Sequence, residues 1–178
     1  LHGGGIYFNN ENYLTVLNID NSSIHNNSTI GWNGISYAGW SGGAIYINSN
    51  QDSNSDVNIT NVTFFGNTSF NASVILSENG LLKLNSTLFY ENNTITNQNI
   101  SGIIELFYNA AAELFNVTSA NNITTGGGFI DCGGNSQSEI GPSVIIKNSI
   151  LWDNFTHQIY FDGGNADPGY LGIASSNI

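Results

Sequence analysis

The chain has 178 residues, of which two are lysine, none is arginine and thirteen are acidic, giving a formal net charge of −11 at pH 7. This charge argues against nucleic acids and anionic membrane surfaces as partners, because both repel an acidic protein. No apolar run approaches the ~20 residues that a membrane-spanning helix needs, so we predict no membrane span.

A repeated pattern begins near the start of the chain and occurs in five copies. It reads apolar, any, apolar, any, Asn, any, any, apolar, any, any, Asn, with Ser86, Ala112 and Ser119 as weak matches. The alternation of apolar and polar residues predicts short strands that bury one face. The copies run from Leu17 to Asn27, Val57 to Asn67, Leu82 to Asn92, Ala112 to Asn122 and Val144 to Asn154.

A second motif alternates with the first. Its copies are GGGIYF around Ile6, GGAIYI around Ile45, ASVIL around Ile75, SGIIEL around Ile104, GGFID around Ile130 and HQIYF around Ile159. Each unit therefore holds at least two strands, with Gly, Asn and Ser at corners that need positive φ or side-chain turns. The uneven spacing of the copies argues against helical repeats of fixed length, such as tetratricopeptide or ankyrin units.

Units this small cannot bury an apolar face alone, so they must stack on one another at about 4.8 Å per layer. An antiparallel β-sandwich also has many short strands, but it does not explain why Asn returns at one position in successive units. Stacked Asn side chains can hydrogen-bond from layer to layer. We predict an all-β, right-handed parallel β-helix of about five to six coils, as one domain over residues 1–178, its hand following that of parallel crossovers.

Short motifs in these units resemble those of a known family. GGAIYI followed by FFGN, with the variants GGGIYF, FYEN and LWDN, resembles the GGA[I/L/V] and FxxN repeats of the polymorphic outer membrane protein type. The resemblance implies a right-handed β-helix on a cell surface. The C-terminal stretch NSILWDNFTHQIYFDGGNADPGYLGIASSNI is also similar to the closing coils of secreted bacterial and archaeal β-helix proteins, which are commonly adhesin-like.

N-glycosylation sequons are more than twice as frequent as the Asn, Ser and Thr content gives by chance. Outward strand positions filled with Asn and Thr create this motif automatically, and selection for glycans is the other explanation. We favour glycans at several sites, with Asn58, Asn71, Asn85 and Asn99 as the better candidates, which implies an extracellular protein of a eukaryote or an archaeon. The sequons are Asn21, Asn26, Asn27, Asn58, Asn61, Asn67, Asn71, Asn85, Asn92, Asn99, Asn116, Asn122 and Asn154, and all except Asn26 are retained as candidates.

The Asn that ends each copy of the first pattern is always a sequon. If these side chains point inward as a hydrogen-bonded ladder, they cannot carry sugar. If they point outward, they could carry a line of glycans along one edge of the solenoid. Both orientations satisfy the pattern.

A polysaccharide-cleaving enzyme is the main alternative function, because parallel β-helices include such enzymes. Lyase chemistry needs a basic side chain near calcium, and we expect neither Lys83 nor Lys147 to lie beside a carboxylate cluster. Hydrolysis needs paired carboxylates, and Glu105 and Asp131 occupy equivalent places in consecutive coils, about 5 Å apart. The preferred interpretation is that these two acids face solvent or share a proton or a cation, and we expect no catalysis.

Two loops offer further candidate binding residues. Trp32, Tyr37 and Trp40 lie in a long insertion, where they could stack on sugars as a glycan-binding site or, as we favour, cover the first coil. Asp162, Asn165 and Asp167 have loop spacing suited to a structural calcium ion, although a turn explains them equally well. No other metal or cofactor is predicted.

The single cysteine and the two chain ends bear on packing and on association. Cys132 alternates with Ile130 and is predicted to be a buried small hydrophobe rather than a reactive thiol. Neither end carries an amphipathic or charged cap over its strand edges, so we expect a segment of a longer chain or a subunit that stacks end to end in a fibre. The sequence thus favours a non-catalytic, N-glycosylated structural module of an extracellular or cell-surface protein, either adhesin-like or fibre-forming.

Overall fold

A computed structural model describes residues 4–10, 15–29, 42–49, 55–70, 74–95, 102–125, 127–133, 141–152, 154, 157–161 and 169–178. This part of the chain contains 21 strands and no helix. The strands form four sheets, with six, six, five and four members, and consecutive coils contribute neighbouring strands to each sheet. Every strand pairing in the described ranges is parallel.

The two longest sheets form two walls of each coil. Sheet A contains β1 (Ile6–Asn10), β5 (Ile45–Ser49), β9 (Ile75–Glu78), β13 (Ile104–Phe107), β17 (Gly128–Gly133) and β20 (His157–Phe161). Sheet B contains β2 (Val16–Asp20), β6 (Asp56–Thr60), β10 (Leu81–Asn85), β14 (Ala111–Phe115), β18 (Ser143–Lys147) and β21 (Leu171–Ala174).

Two shorter sheets complete the coil. Sheet C contains β3 (Ser23–His25), β7 (Thr63–Phe65), β11 (Leu88–Tyr90), β15 (Thr118–Ala120) and β19 (Ile150–Trp152). Sheet D contains β4 (Ser28–Thr29), β8 (Thr68–Phe70), β12 (Asn93–Ile95) and β16 (Ile123–Thr124). A coil therefore holds up to four strands, where the sequence predicted at least two.

The register between coils follows both sequence motifs. In sheet B, Leu82 pairs with Val57 on one side and with Ala112 on the other. In sheet C, Phe89 lies between Phe64 and Ser119. The second motif forms an unbroken column in sheet A, made of Ile6, Ile45, Ile75, Ile104, Ile130 and Ile159. The predicted all-β, right-handed parallel β-helix of several coils is confirmed.

The inward side chains form one apolar core that runs through the stacked coils. Phe64 and Phe89 are fully buried and stack with ring centroids 4.6 Å apart, and Phe129 meets Phe89 edge-on at 5.2 Å. Burying each such side chain stabilises the fold by about 1.5–3 kcal/mol. Cys132 belongs to the same core, and burial raises its pKa to about 12. The prediction of a buried, unreactive cysteine agrees with this position.

Two corners of the coils use the left-handed backbone conformation in the described residues. The corner between sheets B and C has positive φ in every coil, at Asn21, Asn61, Ser86, Asn116, Asn148 and Ser175. The corner between sheets C and D does the same at Asn26, Gly66, Glu91 and Asn121. Asn tolerates this conformation better than most residues with a Cβ atom, which explains the first Asn of the repeat. The second Asn of the repeat follows the other corner and has a different role.

Candidate functional site

The five asparagines that end the repeats form a hydrogen-bonded ladder inside the solenoid. Each side-chain Nδ2 donates to Oδ1 of the asparagine in the next coil. The N···O distances are 3.0 Å from Asn27 to Asn67, 3.0 Å from Asn67 to Asn92, 2.9 Å from Asn92 to Asn122 and 2.8 Å from Asn122 to Asn154. The ladder is directional, because every donor in it points towards the C-terminal coil.

Further hydrogen bonds tie the ladder to the backbone. The backbone N–H groups of Asn27, Asn67 and Asn92 donate to the same Oδ1 atoms, each at 3.1 Å. Asn92 Nδ2 donates its second hydrogen to the carbonyl oxygen of Phe64 in the preceding coil, with an N···O distance of 3.0 Å. Only an amide supplies both donors and an acceptor in this geometry, because a carboxylate only accepts and a hydroxyl has a single donor.

Burial decides the orientation that the sequence left open. Asn67 and Asn92 are 0% exposed, Asn122 is 1% and Asn154 is 5%, while Asn27 is partly buried. A glycan on Nδ2 has no room at the four buried positions. It would also replace the ladder hydrogen bond that Asn27, Asn67, Asn92 or Asn122 donates, or the bond from Asn154 Nδ2 to Gln158 Oε1. Glycosylation at the ladder positions Asn27, Asn67, Asn92, Asn122 and Asn154 is therefore incompatible with this packing, and they are no longer candidates.

Other sequons lie on the outside of the solenoid. Asn21, Asn61 and Asn116 are exposed at the corner between sheets B and C, and Asn85 is exposed at the end of β10. Asn58 is partly exposed on the outer face of sheet B. Neighbouring coils also join some of these side chains: Asn61 Nδ2 donates to Asn21 Oδ1 at 2.7 Å, and Asn116 Nδ2 to Asn85 Oδ1 at 3.2 Å.

Glu105 and Asp131 pair directly in adjacent strands, as the repeat predicted. They do not face solvent, because Glu105 is 5% exposed and Asp131 is 0% exposed. A Cβ atom added to Gly102 would lie 2.8 Å from Cβ of Asp131, so that backbone packs directly on the acid. The expectation of solvent-facing acids is wrong, because the outer face of sheet A is covered at this place. Carboxyl groups this deep cannot flank a glycosidic bond of a long polymer without rearrangement.

The same outer face of sheet A carries an apolar cluster of Tyr46, Leu76 and Phe107. Tyr46 and Leu76 continue the column of Glu105 and Asp131 in the preceding coils. Burial, and then the charge of Glu78, raise the pKa of the Tyr46 phenol far above its usual value. From Tyr46 to Asp131 this column is therefore packed as a second, smaller core and is not open as a binding groove, whereas Tyr7 in the coil before it is 47% exposed.

The outer face of sheet B is polar and open. Lys83 Nζ lies 3.1 Å from Asp56 Oδ2, and Lys83 is directly opposite Glu113 in the neighbouring strand. The expectation that neither lysine lies beside carboxylates is therefore wrong for Lys83. Lys147 lies over the ring of Phe115, at 5.5 Å from its centroid. Exposed ion pairs of this kind contribute about 0–1 kcal/mol, so they indicate a solvated surface more than a catalytic centre.

A column of aromatic side chains on the outer face of sheet C was missed from the sequence. His25 stacks on Phe65 with ring centroids 4.5 Å apart, and Phe65 stacks on Tyr90 at 5.2 Å. The equivalent positions in the next two coils are Ala120 and Trp152. The signal was present in the sequence, because the residue after the inward position of SIHNN, FFGN, FYEN and LWDN is aromatic each time.

Known proteins do not identify the chain. No protein family, no curated protein and no solved structure matches it. The resemblance to GGA[I/L/V] and FxxN repeats therefore rests on the motifs alone. Across the described ranges, no helix is long and apolar enough to cross a membrane, and no three His, Cys, Asp or Glu side chains are grouped to hold a metal ion.

Some sequence-based candidates lie outside the described residues. These are the glycan candidates Asn71 and Asn99, the aromatic residues Trp32, Tyr37 and Trp40, and the calcium candidates Asp162, Asn165 and Asp167. Their predicted roles stay predictions.

Proposed function

We propose that this chain is a non-catalytic, N-glycosylated structural module of an extracellular or cell-surface protein. The observation that carries the proposal is the division of its sequons. One set forms the internal ladder that joins the coils, and the other, including Asn21, Asn61, Asn85 and Asn116, lies exposed along the outside. The sequons are more frequent than composition predicts, and the ladder explains only the buried ones. Selection for glycans would explain the exposed ones.

The character of the candidate site supports a structural rather than a catalytic role. The acid pair Glu105 and Asp131 is buried, whereas hydrolysis of a polysaccharide needs both carboxyl groups to reach the substrate. Lys83, the basic residue nearest to carboxylates in the described part, is in a surface ion pair. The motif resemblance to repeats of the polymorphic outer membrane protein type favours an adhesin-like or fibre-forming surface protein.

The proposal is tested by secreting the chain from a eukaryotic host and mapping glycans peptide by peptide, with intact mass measured before and after glycosidase treatment. We expect sugar on Asn21, Asn58, Asn61, Asn85 or Asn116 and none on Asn92. Thr60→Ala, which removes the Asn58 sequon but leaves the residue itself, is the matched control and should lose sugar at Asn58 alone. An intact mass of 19.1 kDa without added sugar would contradict the proposal.

End-to-end association is the second part of this proposal. A parallel β-helix can add coils at an open strand edge, because the edge presents unpaired backbone groups. Sedimentation at increasing protein concentration should show growing linear assemblies. A single species with the mass of one chain and its glycans over the whole range would contradict this part and leave the glycosylation proposal standing.

A further inference from the structure

The aromatic column of sheet C has a gap one coil wide. Phe65 covers one face of the Tyr90 ring, at a centroid distance of 5.2 Å and an angle of 7°. On the other side, the next position in the column is Ala120, and the one after it is Trp152. Trp152 is 62% exposed, which is high for the largest apolar side chain. Two aromatic side chains, which we call the walls of the gap, therefore flank a small residue on the outer face of sheet C.

The stacking distance of the coils fixes the width of this gap. Tyr90 and Trp152 are two layers apart, which is about 9.6 Å at about 4.8 Å per layer. A group midway between them would lie about 4.8 Å from each wall, within the ~6 Å range of cation–π attraction. Carbon contacts of about 3.5–4.0 Å on both sides leave about 2 Å for the thickness of the guest's own carbon framework.

This remaining thickness discriminates between guests. The carbon atoms of a flat ring lie in one plane, so a flat guest would leave about 2 Å of the gap unfilled. A tetrahedral quaternary ammonium group has carbon layers about 2 Å apart, because its C–N bonds are about 1.5 Å long. Its methyl groups would contact both walls at once.

Charge favours the same guest. The chain carries a net charge of −11, and its two lysines lie on sheet B, Lys83 paired with Asp56 and Lys147 over Phe115. At the end of β11, the exposed Glu91 directly follows Tyr90, at the corner between sheets C and D with φ of 55°. A cation is therefore attracted by the overall field and by the Glu91 carboxylate, whereas an anion is repelled.

We propose that Tyr90, Ala120 and Trp152 form a binding site for a small organic cation with a quaternary ammonium group, with Glu91 as the flanking negative charge. The site is independent of the proposed structural function, because it uses only the outer face of sheet C and the adjacent corner at Glu91. Its guest binds by cation–π attraction to both rings, with no covalent step.

The test is an NMR titration of the folded chain with choline, compared with 3,3-dimethylbutanol, which has the same shape but no charge. We expect choline to bind in the millimolar range and the neutral compound about tenfold more weakly. Equal affinity for the two compounds, or no saturable binding of choline, would overturn the proposal.

Substitutions locate the site. Ala120→Phe should abolish choline binding by filling the gap while keeping the fold, which its melting temperature checks. Trp152→Ala removes one wall and should weaken binding by about tenfold, and Glu91→Gln should weaken choline binding severalfold without affecting 3,3-dimethylbutanol. The matched control is His25→Ala, at the far end of the column, which should bind as the unmodified chain does. Normal choline binding by Ala120→Phe would refute the assignment to this gap.

Discussion

Replacing Asn92 by alanine should be among the most destabilising single substitutions in the described part of the chain. Asn92 is 0% exposed and stands in the middle of the ladder. Its Oδ1 accepts from both the backbone N–H and the Nδ2 of Asn67, at 3.1 and 3.0 Å. In the alanine variant, these two buried donors lose their acceptor.

The magnitude follows from those two donors. Leaving one buried donor unsatisfied costs about 1–3 kcal/mol, so two cost about 2–6 kcal/mol. The carbonyl of Phe64 and Oδ1 of Asn122 also lose the Nδ2 donor of Asn92, which moves the expectation towards the upper half of that range. A loss of this size is a large part of the free energy of unfolding of a typical domain, which is about 5–15 kcal/mol.

The measurement is urea unfolding followed by circular dichroism and by fluorescence, with both probes compared because solenoids can unfold in parts. Asn93→Ala is the matched control, since Asn93 is the next residue and is partly exposed on β12. We expect the control to change the free energy of unfolding by only about 0.5 kcal/mol. If the two variants differ by less than about 1 kcal/mol, the ladder does not stabilise the coils as argued.

Three further predictions test other parts of the structure. Asn92→Asp should destabilise the chain least at acidic pH and more as the pH rises, because burial beside the Asn122 oxygen raises the folded-state pKa of the new carboxyl. Urea unfolding over a pH series checks this, with the exposed Asn121→Asp as the control. Cys132 should resist a thiol reagent at pH 8 in the folded chain and react once urea unfolds it, because burial raises its pKa to about 12; equal rates in both states would be inconsistent with its core position. Gly80→Ala should cost about 1–3 kcal/mol in urea unfolding, because φ is 76° and the new Cβ would lie 2.8 Å from the Ser55 carbonyl oxygen; an unchanged midpoint would contradict this.

The fold could be predicted from the sequence because a solenoid is specified by contacts between neighbouring coils. Ile45 pairs with Ile6 and Ile75, its counterparts in adjacent units, so aligning the motifs is equivalent to assigning the register. The inward side of each strand follows from the period of two. The positive-φ corners were visible in the same way, because Asn61 and Gly66 are residue types that suit them.

The site was less predictable because it depends on which faces are covered. The sequence Asn92-Asn93-Thr94 is compatible with a glycan acceptor and with an internal ladder residue. The left-handed corner at Glu91 turns the Asn92 side chain inward. The burial of Asp131 depends on the packing of Gly102, which is distant in sequence. Local patterns carry no information about such covering.

The segment Tyr90, Glu91 and Asn92 shows how one short stretch serves three purposes: a ring stacked outside, a left-handed corner and a ladder amide inside. The equivalent segment in the next coil keeps the corner at Asn121 and the ladder at Asn122 but has Ala120 in place of the ring. The ladder continues through that coil, so the fold does not require the gap. Aromatic pairs contribute about 0.5–1.5 kcal/mol, and Ala120→Phe should therefore raise the free energy of unfolding in urea. A higher free energy of unfolding together with loss of choline binding would mean that Ala120 keeps the gap open at a cost in stability. A lower free energy of unfolding would show that the surface at Ala120 cannot accept a ring.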